Sequence, residues 1–365
     1  MPPAPPTLFT PFGSLGLRNR SVMAPMTRYA CTSDGNPTNE VKAYYRRRAE
    51  NELSLIIVES SAVNDGDGMG YLNGARFHTA EHVREWKKVV DDVHAAGAKI
   101  WIQLFHPGRL TVEAITGGKV LAPSATPAFD GPSFWRPEVD GKTVSFQTQT
   151  PFETPVAMSL AEIETVTSQF AHSCRLAVEA GFDGVEIHGA HGYLLHQFCH
   201  SEVNERTDAF SPSAQFAFIG QVVQACREAL GPEPTLSYRL SVHMVDNTFI
   251  RYDPEAFDHT QLVRLLDAWG VDVFHSSELK IGAKIFDGDV SLHELIRGQT
   301  GKPIIACGAM QSREAANAIL AEGIVDLIAF GRLLIPNPFA IRDFRKENEA
   351  VLVKFDYKKH IAILH

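Results

Sequence analysis

The sequence predicts an α/β protein of the (β/α)8 TIM-barrel class, and three observations carry the prediction. A helix–glycine–strand unit recurs along the chain. The strand-like runs are almost continuously apolar, as parallel strands covered on both faces should be. Neither GxGxxG nor GxxxxGK[ST] occurs anywhere. The rival architecture, a doubly wound open sheet, therefore lacks the glycine-rich turn that usually follows its first strand.

Eight runs qualify as strands: 21–24, 53–58, 99–105, 184–188, 235–239, 271–275, 303–307 and 325–330. The last six each follow a glycine that closes a helical pattern, at Gly97, Gly181, Gly231, Gly270, Gly301 and Gly323. A helix ends at low cost on a residue that tolerates positive φ, which glycine does without steric penalty. Among the helices, Ser159 and Glu162 have capping-box spacing ahead of an apolar stripe through Leu160, Ile163, Val166 and Phe170. Val83, Trp86, Val89, Val90 and Val93 mark a second stripe. Asp253 and Pro254 read as a cap and first turn before Leu262, Leu266 and Trp269. Arg46, Arg47 and Arg48, set among Tyr44 and Tyr45, read as a helix surface. One segment breaks the rhythm: 107–155 is rich in Pro, Gly, Ser and Thr, with a hairpin expected around Asp140-Gly141. A loop of this length is functional or disordered, and it reads as a capping insertion after strand 3, over the barrel mouth.

The 365 residues fit one domain, 1–365, because TIM barrels run from about 250 residues to over 400 with insertions. With 34 basic against 43 acidic residues the net charge is −9, which argues against nucleic acid or an anionic membrane as partner. Cys31, Cys174, Cys199, Cys226 and Cys307 form no CxxC pair, so a zinc ribbon or iron–sulfur cluster has no ligand set. Unpaired cysteines suggest a reduced, cytoplasmic setting. Residues 1–6 lack the basic start and apolar core of a secretory signal, and no apolar stretch reaches the roughly 18–20 residues of a membrane helix.

TIM-barrel active sites lie at the C-terminal strand ends. Here those ends read Pro25-Met26-Thr27, Glu59-Ser60-Ser61, Gln103 to His106, His188 to Tyr193, Arg239, His275-Ser276-Ser277, Gly308-Ala309 and Gly331-Arg332. All eight turn polar or glycine-rich, which suits a large ligand with many hydrogen-bonding edges. Gly308 and Gly331 allow backbone N–H groups to approach an anion, and Arg332 adds a fixed charge, so a phosphate fits at the last two tips. The plainer alternative is that Gly331 simply turns the chain, but two glycines at the last two tips together with Arg332 favour phosphate. The HxxH pair His188 and His191 reads either as metal ligands or as two N–H donors aimed at one carbonyl or nitro oxygen. A metal would need further ligands at other tips, and the fifth tip offers Arg239, a poor one. Tyr193 is placed to deliver a proton, or only to fill space.

These motifs together resemble the old yellow enzyme family of FMN-dependent NAD(P)H:ene-reductases, over residues 8–344. The resemblance rests on 8–20 with 23–28, on 103–109, on Ala122-Pro123-Ser124, on 180–198, on 204–208, on 329–332 and on Asn337-Pro338. It implies FMN across the mouth, lined by Pro25, Met26 and Ser60. Thr27 would bond near flavin O4, Gln103 would meet the pyrimidine edge, and Arg239 would sit near N1/O2, where charge builds on reduction. Gly308, Ala309, Gly331 and Arg332 would hold the phosphate. It further implies that NADPH, with NADH possible, gives hydride to flavin N5. A small activated alkene, an α,β-unsaturated carbonyl or nitroalkene, then takes it. His188 and His191 would hold the substrate oxygen, Tyr193 would protonate the α-carbon, and Phe105 would shape the pocket. Two stretches depart from the family pattern: 209–216 after the fourth strand, and the tail 355–365. The tail carries no match to the arginine that reaches a neighbouring subunit in one branch, so monomer and homodimer are both open. Two further readings stand beside this one: a metal-dependent TIM-barrel hydrolase using His188 and His191, and a flavin-binding barrel with poor turnover.

Overall fold

The computed structural model describes residues 4–129, 138–139, 142–143, 145, 147–214, 216–246, 257–285 and 288–360. Its centre is a closed barrel of eight parallel strands: β1 Ser21–Met23, β2 Leu55–Ala62, β3 Lys99–Phe105, β4 Gly184–His188, β5 Thr235–Leu240, β6 Val273–Ser277, β7 Ile304–Cys307 and β8 Leu327–Phe330. Each strand pairs with its neighbours in chain order, and β8 closes on β1. The principal helices follow in alternation: α1 Asn39–Glu50, α2 Ala80–Ala95, α3 Leu160–Ala180, α4 Ala217–Leu230, α5 His259–Ala268, α6 Leu292–Arg297, α7 Arg313–Ala321 and α8 Ala340–Arg345. The (β/α)8 class predicted from the sequence is the observed one.

The apolar runs close a barrel because strand periodicity divides them between two cores. Val22, Leu55, Ile57, Trp101, Val273, Ile305 and Leu327 fill the barrel interior. Their neighbours Ile56, Val58, Ile100, Ile102, Phe274, Ile304 and Ile328 join the shell core beneath the helices. Followed upward two residues at a time, the inner rows become polar: Trp101 leads to Gln103, and Val273 to His275 and Ser277. Apolar filling below and polar groups above place the site at the C-terminal mouth.

Helix starts are fixed by side-chain caps. Thr38, Thr79, Ser159, Asp258, Ser291 and Ser312 each accept a backbone N–H from the first turn of α1, α2, α3, α5, α6 and α7 respectively; such a cap contributes about 1 kcal/mol. The expected Ser159–Glu162 capping box forms on α3, with a second at Ser291 and Glu294. The expected stripe of α2 is buried at Trp86, Val89, Val90 and Val93.

Several expectations change. Gly97, Gly181, Gly231, Gly270 and Gly323 have positive φ, but Gly301 does not. That junction is held by Arg297, whose guanidinium donates to the carbonyls of Ile324 and Lys302. Strand β2 continues past the expected tip to Ala62, with a register break against β3 between Val58 and Ser61. Such a bulge re-aims side chains: Ser60 reaches the inner face, while Glu59 turns to α1. Arg48 is not a surface residue but fully buried, donating to the carbonyls of Leu334, Ile335 and Tyr44 with its guanidinium 3.5 Å from the Tyr44 ring. Those carbonyls replace water for the charge and tie α1 to the loop after β8. The Asp253-Pro254 start lies outside the described residues, and α5 begins behind Asp258.

Within 107–155, the described parts are a short helix Glu113–Thr116, a strand Leu121–Ala122 paired with Val156–Ala157, and an antiparallel pair Glu138–Val139 with Lys142–Thr143. The expected turn at Asp140-Gly141 lies outside the described residues. The buried Arg109 bonds Asp246 at 2.9 Å and the Pro127 carbonyl at 2.7 Å, and Asp246 also accepts from Phe129 N–H. No helix of the described residues is long and apolar enough to cross a membrane.

Candidate active site

A cavity of about 290 Å³ opens at the C-terminal mouth. From β1 it is lined by Pro25, Met26 and Thr27, and from β2 by Ser60. The segment after β4 contributes His188, His191 and Tyr193, and β5 contributes Arg239. Gly308 and Ala309 follow β7, and Gly331 and Arg332 follow β8. The structure thus brings most of the candidate residues around one cavity. Two lie behind its lining. Gln103 is fully buried under the floor, bonded to Ser60 and Glu186. Phe105 is buried against Tyr193 and His188.

The β4 segment has its own local logic. At Gly189 the chain crosses Tyr238 of β5 so closely that a Cβ would lie 2.0 Å from the phenol oxygen. His191 then takes the left-handed region, φ 63°, which histidine enters more readily than most residues. Its N–H donates to Ser241 Oγ at 2.9 Å, and its carbonyl accepts from Val245. The result sets the His188 and His191 rings 5.4 Å apart, with Tyr193 edge-on to His188 at 4.8 Å. The Tyr193 hydroxyl lies 2.7 Å from that of Tyr71.

Burial, with Arg239 close by, holds both His188 and His191 well below the ordinary histidine range. Both rings are neutral at pH 7. His188 Nδ1 accepts from Ala190 N–H, which leaves the ring proton on Nε2 for donation. Ser277 Oγ accepts from Arg239 at 2.9 Å and meets His191 Nε2 at 3.0 Å. Arg239 Nε is buried with no hydrogen-bond partner. A cation and neutral donors thus share one cavity, a set that suits an oxygen or a growing negative charge. Among the described residues, no group of three His, Cys, Asp or Glu side chains could hold a metal ion.

Under the floor runs a polar layer. Ser60 donates to Gln103, Gln103 to Glu186 Oε1, and Ser237 to Glu186 Oε2, which lies 2.8 Å from His275 Nδ1. Burial raises Glu186, but His275 and Arg239 outweigh it and the carboxyl sits below its ordinary value. Burial lowers His275, but Glu186 wins and the imidazole is raised. This buried ion pair fixes Gln103 from beneath. Beside it, Glu59 accepts the backbone N–H of Arg28 at 2.9 Å and so holds the 25–27 turn. Burial pushes the Glu59 carboxyl up to about 7.

The last two tips differ in character. A Cβ at Gly308 would lie 2.7 Å from the Glu278 carbonyl, so only glycine passes there. Ala309 follows at φ 46°, a strained value for alanine. Arg332 is exposed on the cavity rim, and its guanidinium has no hydrogen bond or ion pair among the described residues. A free guanidinium beside a backbone cradle fits a phosphate. β4 and β8 are separated by four steps in an eight-stranded ring, so the cradle faces the imidazole pair from across the barrel.

Sequence reasoning missed Tyr71, His243 and Tyr357, which also line the cavity. Tyr71 lies in the glycine-rich loop after β2. His243 follows β5 and stacks on His191 with centroids 5.0 Å apart. Their only signal was a place after a strand tip. Tyr357 belongs to the departing tail, which is tethered where Arg28 donates to the His360 carbonyl at 2.9 Å.

A family model described as "NADH:flavin oxidoreductase / NADH oxidase family" matches residues 7–350. An NADPH dehydrogenase of Geobacillus sp. (strain WCH70) is 35% identical over 345 residues, spanning 91% of this chain and 92% of that protein. A putative 12-oxophytodienoate reductase 11 of Oryza sativa subsp. japonica is 33% identical, over 91% of this chain and 88% of that protein. Among solved structures, the old yellow enzyme homologue from Zymomonas mobilis superposes with TM-score 0.82 at 28% identity, covering 97% of this chain and 96% of that one. Morphinone reductase in complex with tetrahydroNAD gives TM-score 0.82 at 32% identity, covering 97% and 94%.

Proposed function

Because the chain belongs to the NADH:flavin oxidoreductase / NADH oxidase family, that of the old yellow enzyme, we propose that the strand-tip cavity is where it carries out FMN-dependent reduction of activated alkenes by NAD(P)H. Bound FMN supplies a two-electron hydride relay between nicotinamide and alkene. The chain holds and tunes it. Gly308, Ala309, Gly331 and Arg332 take the phosphate. Pro25, Met26, Thr27 and Ser60 line the ring, Gln103 braces Ser60 from below, and Arg239 offers its unpartnered Nε and fixed charge where negative charge grows.

His188 and His191, both neutral, hold the carbonyl or nitro oxygen of the alkene and draw electron density from its double bond. Tyr193 gives a proton to the α-carbon, and Tyr71, hydrogen-bonded to it, aims the hydroxyl. Phe105 backs Tyr193 from behind. NADPH is the electron donor, with NADH as a second, and the alkene is a small molecule. We read the chain as one flavin-binding domain. We place it in the cytoplasm on the strength of its five free cysteines.

One observation carries this reading: a pair of neutral imidazoles with an adjacent phenol shares one cavity with a free guanidinium and a glycine-lined cradle across the barrel. Purified protein should be yellow, with one FMN per chain. It should bleach anaerobically with NADPH and regain colour on addition of 2-cyclohexenone. Flavin that bleaches but does not recover with any enone or nitroalkene would contradict the proposal.

A further inference from the structure

The polar layer beneath the cavity contains a Cys–His–Glu array that alkene reduction does not use. Cys307 ends β7, in register with Ser277 of β6, and His275 sits one inward step below Ser277. His275 Nδ1 is 2.8 Å from Glu186 Oε2, and its Nε2 is buried with no hydrogen-bond partner. Arg239 Nη2 lies 3.8 Å from Cys307 Sγ. Glu186 is itself fixed by Gln103 and Ser237. A thiol beside an imidazole that a carboxylate orients is the arrangement of an activated nucleophile.

Cys307 differs from the other cysteines in two ways. It lines the cavity and is only partly buried, whereas Cys31, Cys174, Cys199 and Cys226 are buried. Burial raises the thiols of Cys199 and Cys226. Burial acts on Cys307 in the same direction, but His275 and Arg239 outweigh it and hold this thiol below its ordinary value. The thiolate is the reactive form.

We propose that Cys307 is a covalent modification site for electrophilic alkenes, open when the cavity lacks FMN and shielded when FMN lies over the β7 tip. The shielding rests on the FMN placement above. In the addition, Cys307 Sγ forms a bond to the β-carbon and the C=C π pair moves onto the α-carbon and its carbonyl. The proton that left the thiol, held by His275, goes to the α-carbon. S–H adds across C=C, and nothing is oxidised or reduced. The compounds the holoenzyme reduces are therefore the ones that trap the flavin-free protein.

The test uses the full chain saturated with FMN and the same chain partly depleted of it by dialysis. Each is exposed to 2-cyclohexenone, with intact mass and peptide mapping as readout. One enone should add to the Cys307 peptide in proportion to the flavin-free fraction, and the adduct should not rebind FMN. Cys307→Ser abolishes the adduct and Cys199→Ser leaves it. His275→Gln slows it roughly tenfold or more through loss of thiolate; if that variant folds poorly, the Cys307→Ser comparison still decides. No adduct at Cys307 in depleted protein that still rebinds FMN overturns the proposal and leaves the active-site reading standing. An equal adduct in saturated and depleted protein overturns the shielding, and with it the FMN placement.

Discussion

Two arginines in one cavity have opposite settings. Arg239 is nearly buried and bonded to Ser277, so it is a fixed part of the floor. Arg332 is exposed and unpartnered among the described residues, so its charge is available to a ligand and adds little to the fold. Arg332→Ala should weaken FMN binding by about 10- to 100-fold, the worth of one charge-assisted hydrogen bond at roughly 1.5–3 kcal/mol. Stability should change by no more than about 0.5 kcal/mol. Flavin-fluorescence titration with a denaturant melt checks both, and an unchanged Kd would count against phosphate at β8. His188, His191, Tyr193, Arg239 and Arg332 were legible because each sits at a strand tip, and strand tips are fixed by apolar periodicity. That Gln103 lies beneath the floor and not on the cavity lining was not legible, because it depends on Glu186 from the next strand. Tyr71 and His243 come from loops whose paths no local pattern sets.

At the level of elements, caps and junction glycines were readable because each is a local bargain between one side chain and one turn. Long-range choices were not. The β2 bulge that swaps Glu59 for Ser60 arises in pairing with β3. The burial of Arg48 depends on carbonyls at Leu334 and Ile335, far along the chain. The same holds for the insertion, which Arg109 and Asp246 fasten to the segment after β5 with both side chains buried. Beside this pair, Leu110, Ala128 and Phe152 pack with Phe105, Tyr71 and Tyr193. Arg109→Met leaves the Asp246 charge buried without its guanidinium, at a cost of about 3–5 kcal/mol. Thermal melts should fall accordingly, and KM for the alkene should rise as Tyr193 loses its backing. A variant with wild-type Tm and KM would show that the insertion does not rely on this pair.

Across the whole molecule, the mouth collects neutral histidines. Burial holds His188, His191 and His196 well below the ordinary range, and pushes His200 down to about 4 and His259 to about 3. In the unfolded chain each titrates near 6.5. Between that pH and the folded values the unfolded state binds more protons, so stability falls as pH falls. Each such histidine contributes up to about 1.4 kcal/mol per pH unit. His275 is raised instead, and its contribution is present in acid and lost as pH rises through its folded value. His78, His82 and His293 are lowered as well, while the Glu59 carboxyl, pushed up to about 7, acts with His275 in the opposite sense. The lowered histidines outnumber these two groups, so urea unfolding should show a loss of a few kcal/mol between pH 7.5 and 5.5. Equal or greater stability at pH 5.5 would mean that these rings are not buried neutral. The clamp itself should not titrate across the neutral range, because His188 and His191 stay uncharged there.

Anaerobic stopped-flow kinetics of Tyr193→Phe separate the two half-reactions and so show whether Tyr193 faces the alkene from the same cavity as the imidazole pair. Flavin reduction by NADPH should keep its rate, while reoxidation by 2-cyclohexenone should slow by about 10²- to 10⁴-fold, the usual effect of a general acid. Reoxidation at the wild-type rate, or equal slowing of both half-reactions, would contradict that placement.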